Sequence, residues 1–355
     1  MTQLSKRQCK TLLFLFLLAG FLSAGSHSEA GRDAWLAAAP AVALALVLFA
    51  AVVSPLVLCG QSDLLSAHRL LLGRPVGGLV NVALLILALL YGAGEMTGLA
   101  AFLAESSDFS PRLGALALLL VALYAAGRGL LCLGRGSEIL WAVLLALLAL
   151  FFLLPLSQLR PELLLPVART PWRTIVREGV GTLLEWFLPA YFLLALLGDT
   201  PRRSDLFPAL FRAVLTAGVA LVLAVAYNIM ALGALASESD YPAYLTAALI
   251  EIGQFVRRPE ALIAGVQVLG ALFRLSIYLL FAARAWESVC PRGAHRRRVL
   301  AMGAAVFALY AAGVTGAPGW SRYALLALPL LIALLALVRW IITRRKRHKT
   351  PAGAG

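Results

Sequence analysis

The side chains able to do chemistry in this chain are few, and they sit where charge is costly. Glu185 lies within Arg177-Glu178-Gly179-Val180-Gly181-Thr182-Leu183-Leu184-Glu185-Trp186-Phe187-Leu188-Pro189. A carboxylate in such a run is a ligand for a cation or amine, a proton carrier, or half of a structural ion pair. Gly179 and Gly181 weaken the turn ahead of it, and Pro189 removes a helical hydrogen bond behind it. The segment is therefore expected to be interrupted, with Gly181, Thr182 and Glu185 as candidate binding residues. Gly20, Ser23 and Gly25 mark a second such place. Small residues there either let helices pack closely or permit an unwound stretch whose free backbone groups bind a ligand.

Two more charges complete the set. Glu95 stands in Tyr91-Gly92-Ala93-Gly94-Glu95-Met96-Thr97-Gly98, where Gly94 and Gly98 have the spacing of a close helix contact. Arg274 stands in Leu272-Phe273-Arg274-Leu275-Ser276-Ile277-Tyr278. Arginine stays protonated, so in an apolar run it pairs with an acid or lines water; Glu95 and Glu185 are the candidate partners. Beyond these residues the chemistry is sparse. Cys9, Cys59, Cys132 and Cys290 form no CxxC pair, and His27, His68, His295 and His348 form no metal-binding spacing. Nucleotide-binding and nucleophile-elbow motifs do not occur. Soluble-type catalysis, a metal and a cofactor have no support, and the thiols are expected to be reduced.

The elements that must carry these residues follow from composition. Of 355 residues, 61% are apolar and 14% charged, against about 25% charged in an ordinary globular domain. Too few charges are present to cover a soluble surface. Ten apolar runs approach the roughly 20 residues that span a bilayer as helix. They lie near 10–26, 34–58, 78–103, 112–132, 137–156, 173–198, 209–235, 258–285, 297–315 and 322–342. The expected fold is all-α, a polytopic membrane protein of about ten transmembrane helices, because helices satisfy their own backbone polar groups. Residues 1–343 form one transmembrane domain and 344–355 a basic tail, read as a stop-transfer and anionic-lipid anchor.

The net charge of +14 reports orientation. With the N-terminus inside, 21 of the 31 basic residues fall on the cytoplasmic side, nine outside, and Arg274 within a span. That fits the positive-inside rule with both termini cytoplasmic. The lipid bilayer thus accounts for the charge and no nucleic acid is needed. Lys6–Lys10, an apolar stretch and the small residues at 23–28 also fit a cleavable signal peptide.

Several short motifs, in order along about 5–345, carry a resemblance. They include Ser5 and Gln8, Asp33-Ala34-Trp35, Arg135 with Ser137-Glu138-Ile139-Leu140, and Gln158-Leu159-Arg160-Pro161. Glu185 with Phe187-Leu188-Pro189 follows. The longest runs from Tyr241-Pro242-Ala243-Tyr244 through Ile250-Glu251-Ile252-Gly253-Gln254-Phe255 to Arg258-Pro259-Glu260-Ala261. In these the chain resembles the spore germination permeases, the multi-pass B subunits of nutrient germinant receptors, within the amino acid–polyamine–organocation transporter superfamily. It departs near Leu130–Leu131, where the family has an acidic residue, and at Arg274, where relatives often carry lysine. Because the resemblance begins ahead of the first apolar stretch, it argues that this stretch is retained.

The resemblance implies two inverted five-helix repeats with helices 1 and 6 broken. It implies an amino acid or similar small germinant bound between them, a spore inner-membrane location, and A and C subunits as partners. The candidate ligand-binding residues are then Gly20, Ser23, Gly25, Glu95, Gly181, Thr182, Glu185 and Arg274. The end of a half-helix suits a carboxylate, and free carbonyls with Glu185 suit an amine. The alternative is a proton-coupled amino acid or polyamine transporter. A membrane-embedded enzyme would need catalytic side chains clustered at one interface, which these short, histidine-poor loops do not supply.

Overall fold

The computed structural model describes residues 4–18, 27–61, 63–153, 156, 159–197, 206–249 and 260–349. Among them every regular element is helical. In chain order these are α1 (Lys6–Leu18), α2 (Ala34–Cys59), α3 (Leu64–Leu71), α4 (Arg74–Ser106), α5 (Pro111–Arg128), α6 (Leu130–Leu153) and α7 (Trp172–Thr182). There follow α8 (Tyr191–Leu194), α9 (Leu206–Leu232), α10 (Leu235–Glu238), α11 (Pro242–Ala248), α12 (Glu260–Val289), α13 (His295–Ala311) and α14 (Gly319–Lys349).

Seven of these helices are long and apolar enough to cross a membrane: α2, with the turn before it, α4, α5, α6, α9, α12 and α14. They coincide with seven of the ten apolar runs. The other three runs are covered differently. The first carries α1, whose described part has 13 residues. The sixth is interrupted between α7 and α8. The ninth holds α13, 17 residues opening on His295-Arg296-Arg297-Arg298. α3, between the second and third apolar runs, is a short buried helix capped by the Asp63 carboxylate, which accepts from the Ser66 N–H at 2.7 Å.

α12 is the axis of the bundle. It pairs most extensively with α4, and also meets α1, α5, α6 and α13. α1 is built into the interior: Thr11 to Leu18 are all buried, against α9, α6 and α12. Its start is fixed by a reciprocal cap. The Ser5 hydroxyl accepts from the Gln8 N–H at 3.1 Å, and the Gln8 side-chain oxygen accepts from the Ser5 N–H at 3.0 Å. Gln8 then donates to Glu138 at 3.1 Å, and Thr11 meets Ser137 at 2.8 Å. Two of the motif groups, far apart in sequence, are thus one contact between α1 and α6.

Close approach explains several glycines. A Cβ on Gly77 would lie 2.7 Å from backbone atoms of His68 and Arg69, so α3 lies directly on α4 there. Gly77→Ala must push the two helices apart. We expect a loss of about 1–3 kcal/mol, measurable as a lower Tm of the purified protein.

His68 is buried in the same contact. Its Nδ1 meets Asn81 Oδ1 at 2.8 Å and its Nε2 meets the Tyr191 hydroxyl at 3.1 Å. Asn81 also donates to the Leu65 carbonyl and to Ser288, both at 3.1 Å. This suits a neutral imidazole, donating from Nδ1 and accepting at Nε2. Burial lowers the His68 pKa, partly opposed by Asn81 and by the Asp63 charge. An unfolded histidine titrates near about 6.5, so the unfolded chain takes up a proton that the folded chain refuses. Stability is therefore full above that pH and falls as pH drops below it. Tm measured at pH 7.5 and 5.5 should show the fall, and His68→Gln should lessen it.

Candidate functional site

The sixth apolar run is where helical geometry fails. α7 ends at Thr182 and is followed by one π turn over Leu183–Phe187, a 3-10 turn over Leu188–Ala190, and α8. The Leu188 N–H reaches back five residues to the Leu183 carbonyl. Pro189 has no N–H to give the carbonyl four residues earlier, that of Glu185. A π turn of this kind widens the helix and commonly marks a functional place. The glycines ahead of it act differently from one another. A Cβ on Gly179 would lie 2.9 Å from the Ala37 carbonyl oxygen, so that glycine seats α7 on α2. Gly181 faces open space.

That space belongs to one of the two cavities that meet at Glu185. The larger, of about 510 Å³, is walled by α4, α12, the interrupted segment, the chain before α14 and the first turn of α14, including Glu95, Glu185, Arg274 and Arg322. The second, of about 490 Å³, lies between α2, α7 and α9 and includes Glu178, Gly181, Thr182 and Glu185. His27, Glu185 and Trp186 line both. Glu185 is exposed, and this exposure is to the cavity interiors. Each volume suits a small polar molecule.

The charges in the larger cavity sort into closed pairs and open groups. Arg274 Nε meets Glu95 Oε1 at 2.9 Å, with both side chains 14% exposed. The guanidinium also donates to the Tyr278 hydroxyl at 3.4 Å and lies 5.5 Å from the centre of the Phe16 ring. Glu95, of the two candidates, is thus the arginine's partner. The His27 ring meets the Asp240 carboxylate at 2.5 Å. Glu185 and Arg322 line the cavity without an ion-pair partner among the described residues. The Tyr91 hydroxyl and the Gln267 side-chain oxygen are buried and have no hydrogen-bond partner among them. Buried polar groups are rarely left so, and such atoms on a cavity wall are positions for water or ligand.

Of the candidate residues, Glu95, Glu185 and Arg274 therefore share one cavity, and Gly181, Thr182 and Glu185 share the other. The Thr182 hydroxyl is turned back on the Glu178 carbonyl at 3.0 Å. Gly20, Ser23 and Gly25 lie outside the described residues, as do Gln158 and residues 250–259. Gly94 approaches a backbone as expected, though of a loop: a Cβ there would sit 3.1 Å from Gly316 Cα. Gly98 has open space beside it.

Tyr91, Trp186, Asp240, Gln267 and Arg322 are the lining residues that charge-in-span reasoning passed over. Helical spacing held a signal for two of them. Tyr91 is one turn from Glu95, and Gln267 two turns from Arg274, on the same faces. Other motif residues serve the frame. Asp33, 2% exposed, accepts from the Ala168 and Thr170 N–H groups at 2.8 Å each. Tyr241 and Tyr244 stack edge-on against Phe102 with ring centres 5.0 and 5.5 Å away.

The model of the spore permease family, described as spore germination protein, matches residues 3–314. Spore germination protein KB of Bacillus subtilis (strain 168) is 26% identical over 289 residues, which cover 78% of this chain and 76% of that protein. Seven helices long and apolar enough to cross a membrane, a polar cavity beside the interrupted segment and a match over nearly the whole length lead to one conclusion: the chain is an integral membrane protein of the spore germination permease family.

Proposed function

We propose that this chain is a permease-like receptor subunit that binds an amino acid or similar small germinant at mid-membrane and so triggers germination. The observation that supports this best is the cavity at the π turn. Exposed Glu185 stands there with two unpartnered polar groups, Tyr91 and Gln267, in a space of about 510 Å³. Glu185 takes the ligand's amine. The π and 3-10 turns are the soft element whose equilibrium ligand binding biases.

The wider reading belongs with it. Ten spans in two inverted five-helix repeats pair the first run with the sixth, with Gly20, Ser23 and Gly25 as further ligand-binding residues. Both termini are cytoplasmic, the membrane is the spore inner membrane, and A and C subunits receive the signal. No catalytic step is part of this function, and the family is one of germination proteins.

The test is germination of spores carrying Glu185→Gln against a panel of amino acids. Every response that requires this receptor should fall by at least tenfold in germinant sensitivity. Unchanged responses to all of them would refute the assignment. A transporter would instead show net uptake of labelled amino acid into proteoliposomes, abolished by the same substitution.

A further inference from the structure

We propose that Arg322 is the carboxylate anchor of the larger cavity, so that the ligand it selects carries a free carboxylate beside its amine. The inference rests on the reading of that cavity as the ligand site and adds the residue that sets its selectivity.

Charge bookkeeping within the cavity leads to it. Glu95 closes on Arg274 and His27 on Asp240. Among the described lining residues, Glu185 and Arg322 have no ion-pair partner and are of opposite sign on one wall system. The two unpartnered buried groups complement them. A phenol hydroxyl donates to a carboxylate, and an amide oxygen accepts from an ammonium. Tyr91 lies within electrostatic reach of Arg322, Arg274 and Glu185 together. The cavity thus offers Arg322 for an anion and Glu185 for a cation, with Tyr91 and Gln267 as a further donor and acceptor on the same walls, which is the complement of a zwitterion.

Arg322 is also held where it must be. It lies in the first turn of α14 and is half-buried. The chain before it is fastened to α4. The Thr97 hydroxyl donates to the Val314 carbonyl at 3.4 Å, and Gly94 meets Gly316 backbone to backbone. Gly316, at φ +142°, adopts a conformation that L side chains rarely reach. Thr315, Gly316 and Ala317 so become cavity wall, and Arg322 follows them into it. The competing role for an arginine at a helix end is reaching outward to a lipid phosphate. That role is blind to the ligand's carboxylate, which separates the two experimentally.

The experiment uses the full chain in lipid nanodiscs and a panel of L-amino acids, each paired with its own α-carboxamide. Binding is read by calorimetry, and unliganded Tm by fluorimetry. Wild type should bind the acid of the effective pair at least tenfold more tightly than the amide. Arg322→Gln should weaken the acid by about 10–100-fold, the worth of a charge-assisted fork, and leave the amide within about twofold. Arg322→Lys keeps the charge without the fork and should lose several-fold on the acid alone; it also serves if the glutamine variant does not fold. Equal loss on acid and amide, or no loss on either, overturns the anchor while the site stands. If wild type binds no member of either series, the ligand-site reading falls, and the anchor with it.

Discussion

Glu95→Ala should cost about 3–5 kcal/mol and leave little folded protein. Truncation strands the Arg274 guanidinium, which is 14% exposed and holds Glu95 at 2.9 Å. Its remaining contacts, Tyr278 at 3.4 Å and the Phe16 ring at 5.5 Å, do not neutralise a charge. Arg274→Leu should fare better, because an orphaned carboxyl can neutralise itself by taking a proton, which arginine cannot do by losing one. The double variant Glu95→Met with Arg274→Leu should recover most of the loss, since apolar replacement of a whole buried pair is often near neutral. Thermal unfolding of wild type, Glu95→Met, Arg274→Leu and the double variant forms a double-mutant cycle. Simple additivity would mean that the pair does not act as a unit.

Asp33→Ala is the second large effect. Asp33 is 2% exposed and accepts two backbone bonds at 2.8 Å, from Ala168 and Thr170. Hydrogen bonds to a charged group contribute about 1.5–3 kcal/mol each, so the loss should be about 3–5 kcal/mol. Two weaker ties remain, from Thr170 to the Ala30 carbonyl at 3.2 Å and from Arg32 to the Leu165 carbonyl at 3.1 Å. The segment 165–171 should therefore loosen before the bundle melts. Limited proteolysis should cut there first, and Asp33→Asn, which keeps one acceptor oxygen, should fall about midway. A Tm within a degree of wild type for Asp33→Ala would show that the segment is held without it.

The sequence made the long helices legible for a simple reason. A bilayer demands about 20 apolar residues in one run, and the seven long helices are those runs. The break at Glu185 was legible too, because glycine and proline act locally on the backbone they occupy. Partner choice was not legible in the same way. Glu95 and Glu185 look alike as isolated carboxylates, and only the packing of α4 along α12 decides that Arg274 meets Glu95.

The uncharged wall escaped notice for another reason. Tyr91 and Gln267 raise no alarm by charge, and their interest lies in lacking a partner, which is a property of three dimensions. Arg322 read as a basic residue outside the membrane, and the close contact of Gly94 with Gly316 turns it into cavity lining. α3 went unseen because eight residues are too short for a periodic signal.

The central claim is that Glu185 binds the germinant and does not hold the fold. Ligand-induced stabilisation of the purified chain in nanodiscs tests it most directly. Wild type and Glu185→Gln should melt within about a degree of each other without ligand, since the side chain is exposed to the cavities and makes no ion pair among the described residues. With the amino acid that germinates the spore at 100 times its Kd, wild type should gain roughly 2.7 kcal/mol, a Tm rise that the variant lacks. An equal rise in both proteins would contradict the account.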